Sequence, residues 1–348
     1  MSGRLKLRRG TVVSTDPLAV EIDGERRAAW ADEVLLGAMR EGDEVVVNVA
    51  ARDLGLGSGG FDVVHVNLTR GLDGNGVEGD AHVIKLNYTS LQHPVDPVEQ
   101  GSGRVIADIQ RKVAALPVAV LPLHGHLAPA AWAAAQAAPD LRVGYVQTGG
   151  GALPGSLSRD VAELHDQGLL VGHITAAPAY GGEHEALGVV GALDAAAKLG
   201  WSAALIGPGP GIIGSDTEFG HGGMAALDNA HAALALGGPT LLSPRLSSSD
   251  PRERHLHLSH HTFTVLELLL GEVEITTPAG DLPGAAEARR YLAEAAGERH
   301  RLQEIEVDLA AYQASGLPTK TMGRSIDEDP LFFAAPLAAG TFLARRGL

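Results

Sequence analysis

The sequence contains no cysteine among its 348 residues, and aromatic residues make up only 4% of it. The absence of cysteine excludes disulfide bonds and thiolate metal ligands. Because aromatic side chains are scarce, alanine, valine, leucine and isoleucine must build the core. Hydrophobic residues make up 45% and charged residues 20%, which are ordinary fractions for a folded globular chain.

Basic residues and long apolar runs are also in short supply. Lysine and arginine number 27 against 42 acidic residues, so the formal net charge is −15. An acidic chain repels nucleic-acid phosphates, and we therefore expect no nucleic-acid partner. The sequence has no run of about 18 apolar residues, and its first residues do not resemble a signal peptide. We therefore expect no membrane partner and a cytoplasmic location.

Two regions of different pattern follow each other along the chain. Residues 1–95 contain short β-branched runs separated by turn signals, which predicts a small N-terminal β-barrel-like domain. Residues 96–104 are the predicted linker, in a polar segment interrupted by proline and glycine. Residues 105–348 alternate apolar strands with segments of helical periodicity, which predicts a Rossmann-like, mostly parallel α/β domain.

The elements predicted in residues 105–348 place the glycines and the loops. The predicted strands are 117–123, 141–147, 169–177, 201–206 and 239–243, with edge strands at 272–277 and 302–307. The predicted helices are 127–138, 156–167, 185–199, 224–236, 285–296 and 330–345. Three of the helices are followed by the expected C-terminal glycines, Gly168, Gly200 and Gly237. The last helix carries Phe332 and Phe333, which would allow a homodimer or pack within the chain.

Polar or glycine-rich segments follow five successive predicted strands. In an open α/β sheet, ligands bind beyond the carboxyl ends of the strands. We therefore predict one cleft at this edge, built from the segments at 124–129, 148–154, 178–184, 207–223 and 244–261. The segment 207–223 includes Ser215, Asp216, Thr217 and His221 among its glycines.

Two of these segments are candidate backbone cradles for an anion, because N–H groups in glycine loops at helix N-termini bind anions. Glycine at such positions also allows close packing of a strand against a helix, and both explanations stay open. The segment 207–223 lacks the ending and spacing of known nucleotide-binding loops, which disfavours nucleotide binding by those routes. The predicted ligand-binding residues are Thr148, Gly149, Gly150, Gly151, Gly209, Gly211 and Gly214.

The segment 245–261 concentrates arginine and histidine in an acidic protein. Arginine forks bind carboxylates and phosphates, so we predict a small anionic ligand. Alternatively, Asp250 and Glu253 pair with the arginines and only order the loop. The predicted ligand-binding residues of this segment are Arg245, Asp250, Arg252, Arg254 and His261.

Histidines are the predicted acid–base residues, namely His124, His255 and His260. Ser259 matches a helix N-cap, which places His260 and His261 in the first helical turn, where the dipole favours neutral imidazole. Neutral imidazole suits metal ligation or general-base work, yet no His-Glu-x-x-His pattern is present, so the metal requirement stays open. His124 precedes the helix that contains Pro129, and it would alternatively serve to cap that helix.

The absence of a Gly-x-Ser-x-Gly elbow argues against a serine hydrolase. Our hypothesis is a hydrolase or transferase that acts on a small anionic metabolite through the predicted cleft. The alternative is a non-catalytic ligand-binding or regulatory protein that uses the same cleft. No cofactor is assigned.

Several segments together resemble a bacterial family of domains of unknown function, number 3866. The matching segments are residues 53–60, 82–92, 145–154, 209–214, 250–255, 259–262, 321–324 and 328–333. The most specific are Asp-Pro-Arg-Glu-Arg-His at 250–255 and Ser-His-His-Thr at 259–262. The family has no established activity, so the resemblance implies boundaries and a site but no reaction. It adds Lys85 and Arg324 as cationic candidates.

The chain also departs from the family pattern. Gly149 stands where an aspartate often follows the threonine. Ala177 and Pro178 stand where a Gly-His pair is frequent, and Glu183 replaces the aspartate of a Gly-Gly-Asp loop. Roles that require those groups are not implied for this chain.

Overall fold

The computed structural model describes residues 4–56, 59–72, 81–99, 109, 112–215 and 217–347. The chain divides into two compact units, Met1–Val95 and Asp96–Leu348. Residues 100–104 of the predicted linker lie outside the described part of the chain, as does Asp216. Within the described ranges, no helix is both long enough and apolar enough to cross a membrane.

The first unit is built around a closed five-stranded barrel with the order β1-β2-β3-β5-β4, which confirms the predicted barrel. Its elements are β1 (Leu7–Thr15), β2 (Leu18–Ile22), β3 (Glu25–Trp30), α1 (Glu33–Leu36), β4 (Glu44–Asn48), α2 (Ala50–Asp53), β5 (Asp62–Asn67), β6 (Val83–Lys85) and β7 (His93–Val95). Val45 and Val47 on β4 face the barrel core, while Val46 between them is half-buried, as the period of a strand requires.

The second unit is built around an eight-stranded parallel sheet with the order β11-β10-β9-β12-β8-β13-β16-β17. Its strands are β8 (Val118–Val120), β9 (Val143–Thr148), β10 (His173–Ala176), β11 (His184–Ala186), β12 (Ala203–Pro208), β13 (Thr240–Leu242), β14 (Leu246–Ser247), β15 (His257–Leu258), β16 (Glu274–Pro278), β17 (Arg301–Ile305), β18 (Lys320–Thr321) and β19 (Arg324–Ser325). The predicted α/β fold with a parallel sheet is therefore confirmed.

Helices cover both faces of this sheet. They are α3 (Leu127–Ala137), α4 (Arg159–Asp166), α5 (Val189–Lys198), α6 (Ala225–Ala235), α7 (His260–Leu268), α8 (Ala285–Ala296), α9 (Leu309–Gln313) and α10 (Pro330–Gly347). Short 3-10 helices occupy His124–His126, Gly155–Leu157, Gly222–Met224 and Glu253–His255. Ala203 and Leu205 of β12 pack into the core with α3 and α10, whereas Ala204 and Ile206 pack into the core with α5 and α6. A strand buried on both faces must be apolar throughout, which is the reason for its continuous hydrophobic run.

Two predicted elements differ most from the structure. The predicted helix 185–199 begins only at Val189, because residues 184–186 form the edge strand β11 beside β10. The carboxylate of Glu185 there accepts hydrogen bonds from the Gly181 N–H and the Thr175 hydroxyl. The predicted strand 169–177 is shorter and covers only His173–Ala176.

The C-terminal helix α10 packs within the second unit, mainly against α3. Phe332 and Phe333 are buried in the core on this side of the sheet. The apolar side chains that suggested a homodimer are therefore used inside one chain.

Candidate functional site

A cavity of about 400 Å³ lies at the carboxyl edge of the parallel sheet, within the size range of small-molecule sites. Most of its wall comes from the segments that follow β8, β12 and β13, because these strands are neighbours and point the same way. The residues that contribute to its wall are Leu123, His124, Gly125, Asp160, 210–215, Arg245, Arg252, Arg254, His255, His261, Thr321 and Met322.

Arginine side chains dominate the part of this wall that follows β13. Arg245, Arg252 and Arg254 line the cavity. Arg252 donates two hydrogen bonds to the buried Asp250 carboxylate, at 2.9 and 2.8 Å. The Nη2 atoms of Arg324 and Arg245 lie 3.2 and 3.7 Å from the same carboxylate. Several guanidinium groups therefore share one aspartate.

The pKa values in this cluster reflect both burial and the neighbouring charges. Burial and the charge of Arg252 lower the pKa of Arg245 to about 10. Burial also acts to raise the pKa of Asp250, but the hydrogen bonds from Arg252 outweigh it and hold that pKa well below its usual range. Asp250 is thus ionised and Arg245 is destabilised as a cation, so an added negative charge would be favoured here.

The polypeptide around the arginines is held by a second buried carboxylate. Asp329 accepts hydrogen bonds from the Ser247 hydroxyl at 2.6 Å, from the Ser248 N–H at 2.8 Å and from Arg324 Nε at 3.0 Å. Strands β14 and β15 pair as a short antiparallel hairpin, which brings the two ends of the segment 248–256 together. The alternative in which Asp250 orders the loop is therefore present in the structure, with Arg324 as a bridge between the two aspartates.

His124 lies where the chain leaves β8. Its Nδ1 lies 3.2 Å from the Pro208 carbonyl oxygen, so Nδ1 carries the proton and donates. Its Nε2 lies 2.8 Å from the Ser158 hydroxyl and 3.8 Å from Asp160 Oδ2. Burial lowers the pKa of His124, although the Asp160 charge opposes this, so the imidazole is neutral. A neutral imidazole with an acceptor nitrogen can take up a proton.

Four histidines cluster beside the arginines. The ring centroids of His221 and His261 are 3.6 Å apart and stacked, and those of His260 and His261 are 4.4 Å apart. Ser259 caps α7, as predicted, and its hydroxyl lies 2.7 Å from His255 Nδ1. Burial lowers the pKa of all four, to about 3 for His255 and about 2 for His261. The neutral imidazoles predicted at His260 and His261 therefore result mainly from burial, and not from the helix dipole named in the prediction.

One ring nitrogen from each of His221, His260 and His261 lies within 4.8 Å of the others, which makes these three a candidate metal-ligand set. His261 also lines the cavity, whereas His260 lines a neighbouring cavity of about 540 Å³ together with Arg254, among others.

The cavity brings together only part of the predicted site. The predicted residues that do line the cavity are His124, Gly211, Gly214, Arg245, Arg252, Arg254, His255 and His261. Asp250 lies behind the arginines, as their acceptor. Lys85 lies in the first unit, on β6.

The segment 148–151 and Gly209 do not line the cavity. A Cβ atom on Gly151 would lie well inside van der Waals contact with the Gly209 carbonyl oxygen, and one on Gly150 would collide with the Gly222 carbonyl oxygen. Thr148 accepts a hydrogen bond from Asn229 at 3.1 Å. These glycines allow one backbone segment to lie directly against another.

Three residues close to the cavity or to the histidine cluster are not among the predicted site residues: Ser158, Asp160 and His221. Ser158 and Asp160 stand at the start of α4, and the signal was local: Ser158 caps this helix by accepting from the Val161 N–H at 3.0 Å. That helix follows the loop after β9, at the same sheet edge as His124. His221 stands alone in a glycine run, about 40 residues before its histidine neighbours, and nothing local identifies its role.

A family model described as "Protein of unknown function (DUF3866)" matches residues 28–340. No curated protein and no solved structure matches the chain. The matched range spans most of both units, and its description carries no reaction.

Proposed function

The chain belongs to the DUF3866 family, whose activity is unknown, and we propose that its second unit binds a small anionic molecule in the cavity walled by Arg245, Arg252 and Arg254. One observation carries this proposal: three guanidinium groups line the cavity, whereas Asp160 is the one carboxylate among the described residues that line it. Asp250 pairs with Arg245, Arg252 and Arg324 from behind the cavity, and an anion inside the cavity would add to this compensation of the guanidinium charge. The chain as a whole is acidic, so its overall composition does not account for three arginines around one cavity.

The chemistry of the wall defines the class of anion. Guanidinium forks match the paired oxygens of phosphate and carboxylate groups. A cavity of about 400 Å³ matches a metabolite of modest size. We therefore assign the ligand to small phosphate monoesters or carboxylates.

The test is calorimetric titration of the purified protein with inorganic phosphate, glycerol phosphate and citrate. Arg254→Gln and Arg252→Gln should each weaken the best-bound anion by about 10-fold or more, because a charge-assisted hydrogen bond contributes about 1.5–3 kcal/mol. Arg290→Gln removes the same charge from an exposed position on α8 and serves as the matched control. Affinity should also fall as salt is raised. Unchanged affinity in both cavity variants would contradict the proposal.

A second candidate function, catalysis on the bound anion, is favoured by His124. This neutral imidazole lines the same cavity, with Nδ1 held by a carbonyl and Nε2 able to accept a proton. A reacting group must compete with the Ser158 hydroxyl for Nε2, and Asp160 stands near enough to stabilise the imidazolium that forms. Such an arrangement suits a hydrolase or transferase that needs a general base.

This second candidate is tested by screening phosphate esters, carboxylate esters and amides for turnover. His124→Asn should lower turnover by about 10²–10⁴-fold, the usual contribution of a general base, while anion affinity is retained. His165→Asn changes an exposed histidine on α4 and should be silent. Anion binding without turnover of any compound would instead identify a ligand-binding or regulatory protein.

A further inference from the structure

The three-histidine set beside the cavity carries a separate inference. His221 precedes the 3-10 helix Gly222–Met224, whereas His260 and His261 begin α7, so the fold brings together residues about 40 positions apart. One ring nitrogen of each lies within 4.8 Å of the other two. His221 and His261 are buried, and His260 is half-buried.

The hydrogen bonding of His221 leaves one nitrogen available. Its Nε2 lies 2.9 Å from the Glu218 carbonyl oxygen and must donate to it, so Nδ1 carries a lone pair. This Nδ1 is buried and has no hydrogen-bond partner among the described residues. Metal-ligating histidines commonly donate their second ring N–H to a backbone carbonyl, which fixes the tautomer and the ring orientation.

His260 shows the same feature from the other segment. Its Nε2 is buried and is also without a hydrogen-bond partner among the residues that the structure describes. A buried polar atom without a partner destabilises the folded state, so two of them in one cluster require an explanation.

Glycine at position 223 keeps space open next to this cluster. A Cβ atom there would lie 2.9 Å from His221 Nδ1 and 3.1 Å from His261 Nδ1. Both nitrogens therefore face a point that a side chain at position 223 would fill. The backbone at Gly223 does not have positive φ, so its conformation alone does not demand glycine.

We propose that His221, His260 and His261 bind one divalent transition-metal ion of the zinc type. Three neutral imidazoles are a recognised protein ligand set for zinc, and they leave a fourth position for water or substrate. Imidazole donors favour zinc, cobalt, nickel and copper over magnesium and calcium, which prefer oxygen ligands.

Metal binding requires small rearrangements of these side chains. Zn–N bonds of about 2.0–2.1 Å in a tetrahedron place the nitrogens about 3.3 Å apart, closer than the 4.8 Å limit within which they lie. Arg245 Nη1 lies 3.4 Å from His261 Nδ1. Either this guanidinium group turns away so that Nδ1 of His261 can bind the metal, or Nε2 of His261 binds it instead. Asp250 offers a carboxylate toward which the guanidinium can turn.

The test uses tag-free protein that has been treated with a chelator and dialysed. Titration with Co²⁺ should give the visible absorption of tetrahedral cobalt at one equivalent per chain, and Zn²⁺ should displace it. His221→Ala and His260→Ala should each weaken Co²⁺ by more than the 10–100-fold typical of outer-shell changes. His165→Ala, which removes an exposed histidine, should bind as the parent does.

A second variant blocks the site without removing a ligand. Gly223→Ala should weaken Co²⁺ although all three histidines remain, whereas Gly188→Ala, with open space around its Cβ position, should not. Thermal unfolding of the metal-free variants reports whether each one folds. The proposal would be overturned if the cobalt spectrum were absent, or if the His221→Ala and His260→Ala variants bound Co²⁺ as tightly as the parent. Because these measurements need no anion and no turnover, their outcome is independent of the proposed anion binding.

Discussion

Two loop regions at the carboxyl edge of the same sheet use opposite means to keep their shape. In the glycine region, residues 148–151 and 209, one backbone lies against another, and the space that glycine leaves is filled by carbonyl oxygens of the protein itself. In the arginine–histidine region, residues 245–261, buried carboxylates hold long side chains, several of which reach a cavity. The first region is filled by its own chain, whereas the second exposes charge to a ligand-sized space.

The difference shows that glycine after a strand has two physical uses that sequence does not separate. A glycine loop cradles an anion when its N–H groups face open space, and it packs when they face another backbone. Gly151 and Gly209 belong to the second case. Arginine is ambiguous in another way, because a guanidinium group is compensated either by a carboxylate of the protein, such as Asp250, or by a bound anion.

The largest effect is expected from Asp250→Asn, which removes the carboxylate shared by Arg252, Arg324 and Arg245. Removing one partner of a buried charge cluster costs about 3–5 kcal/mol of unfolding free energy. Urea unfolding followed by tryptophan fluorescence measures this loss, and Trp132 and Trp201 report on the second unit.

Asp281→Asn, at an exposed position, is the control and should change stability by no more than about 0.5 kcal/mol. Added phosphate should stabilise the Asp250→Asn protein more than the parent, because an anion could then compensate the same guanidinium groups. A loss no larger than that of the control would show that Asp250 does not hold this region together.

The glycine region is tested by Gly151→Ala, where the new methyl group would meet the Gly209 carbonyl oxygen. Since this neighbour is backbone and cannot rotate away, we expect a loss of about 3 kcal/mol, the upper part of the range for overpacking. The same urea experiment measures it. Gly188→Ala adds a methyl group in open space at the N-cap of α5, and it should lose no more than about 1 kcal/mol. Equal stability of the two variants would mean that residues 149–151 are not packed in solution and remain available to a ligand.

Local patterns were sufficient for much of the fold. Gly168, Gly200 and Gly237 have φ values of 70°, 74° and 78° directly after helices, as their positions predicted. The Ser259 cap and the apolar strands of a doubly covered sheet were equally readable, because each depends on a few neighbouring residues. Strand β3 is not marked by a β-branched run, because it begins with Glu25, Arg26 and Arg27.

The candidate site was only partly readable, since it depends on strand order. The sequence pattern puts His124 and the arginines at the ends of predicted strands. It does not show which of these strands are neighbours in the sheet. The approach of His221 to α7 requires the order β12-β8-β13, which no local pattern encodes. The approach of Asp160 to His124 likewise depends on α4 and β8 meeting at one edge.

The smallest of the three effects concerns the support beneath the glycine region. His173 Nε2 lies 3.2 Å from Gln147 Oε1, and Gln147 Nε2 in turn donates to the Ala152 carbonyl oxygen at 3.1 Å. Burial lowers the pKa of His173 from 6.5 to about 4. The unfolded chain therefore binds this proton first, and stability is lost as pH falls from 6.5 toward 4.

At pH 5 this single histidine should cost about 2 kcal/mol relative to pH 7, since one pKa unit corresponds to about 1.4 kcal/mol. His173→Gln cannot bind the proton, so its stability should fall by about 2 kcal/mol less than that of the parent between these two pH values. Comparing the difference between pH values cancels the contributions of the other histidines, whatever the substitution costs at pH 7. His165→Gln, at an exposed position, should keep the parent's pH dependence. If His173→Gln also keeps it, the imidazole beneath the glycine region is open to protons, and the close packing that distinguishes this region from the arginine–histidine region is absent in solution.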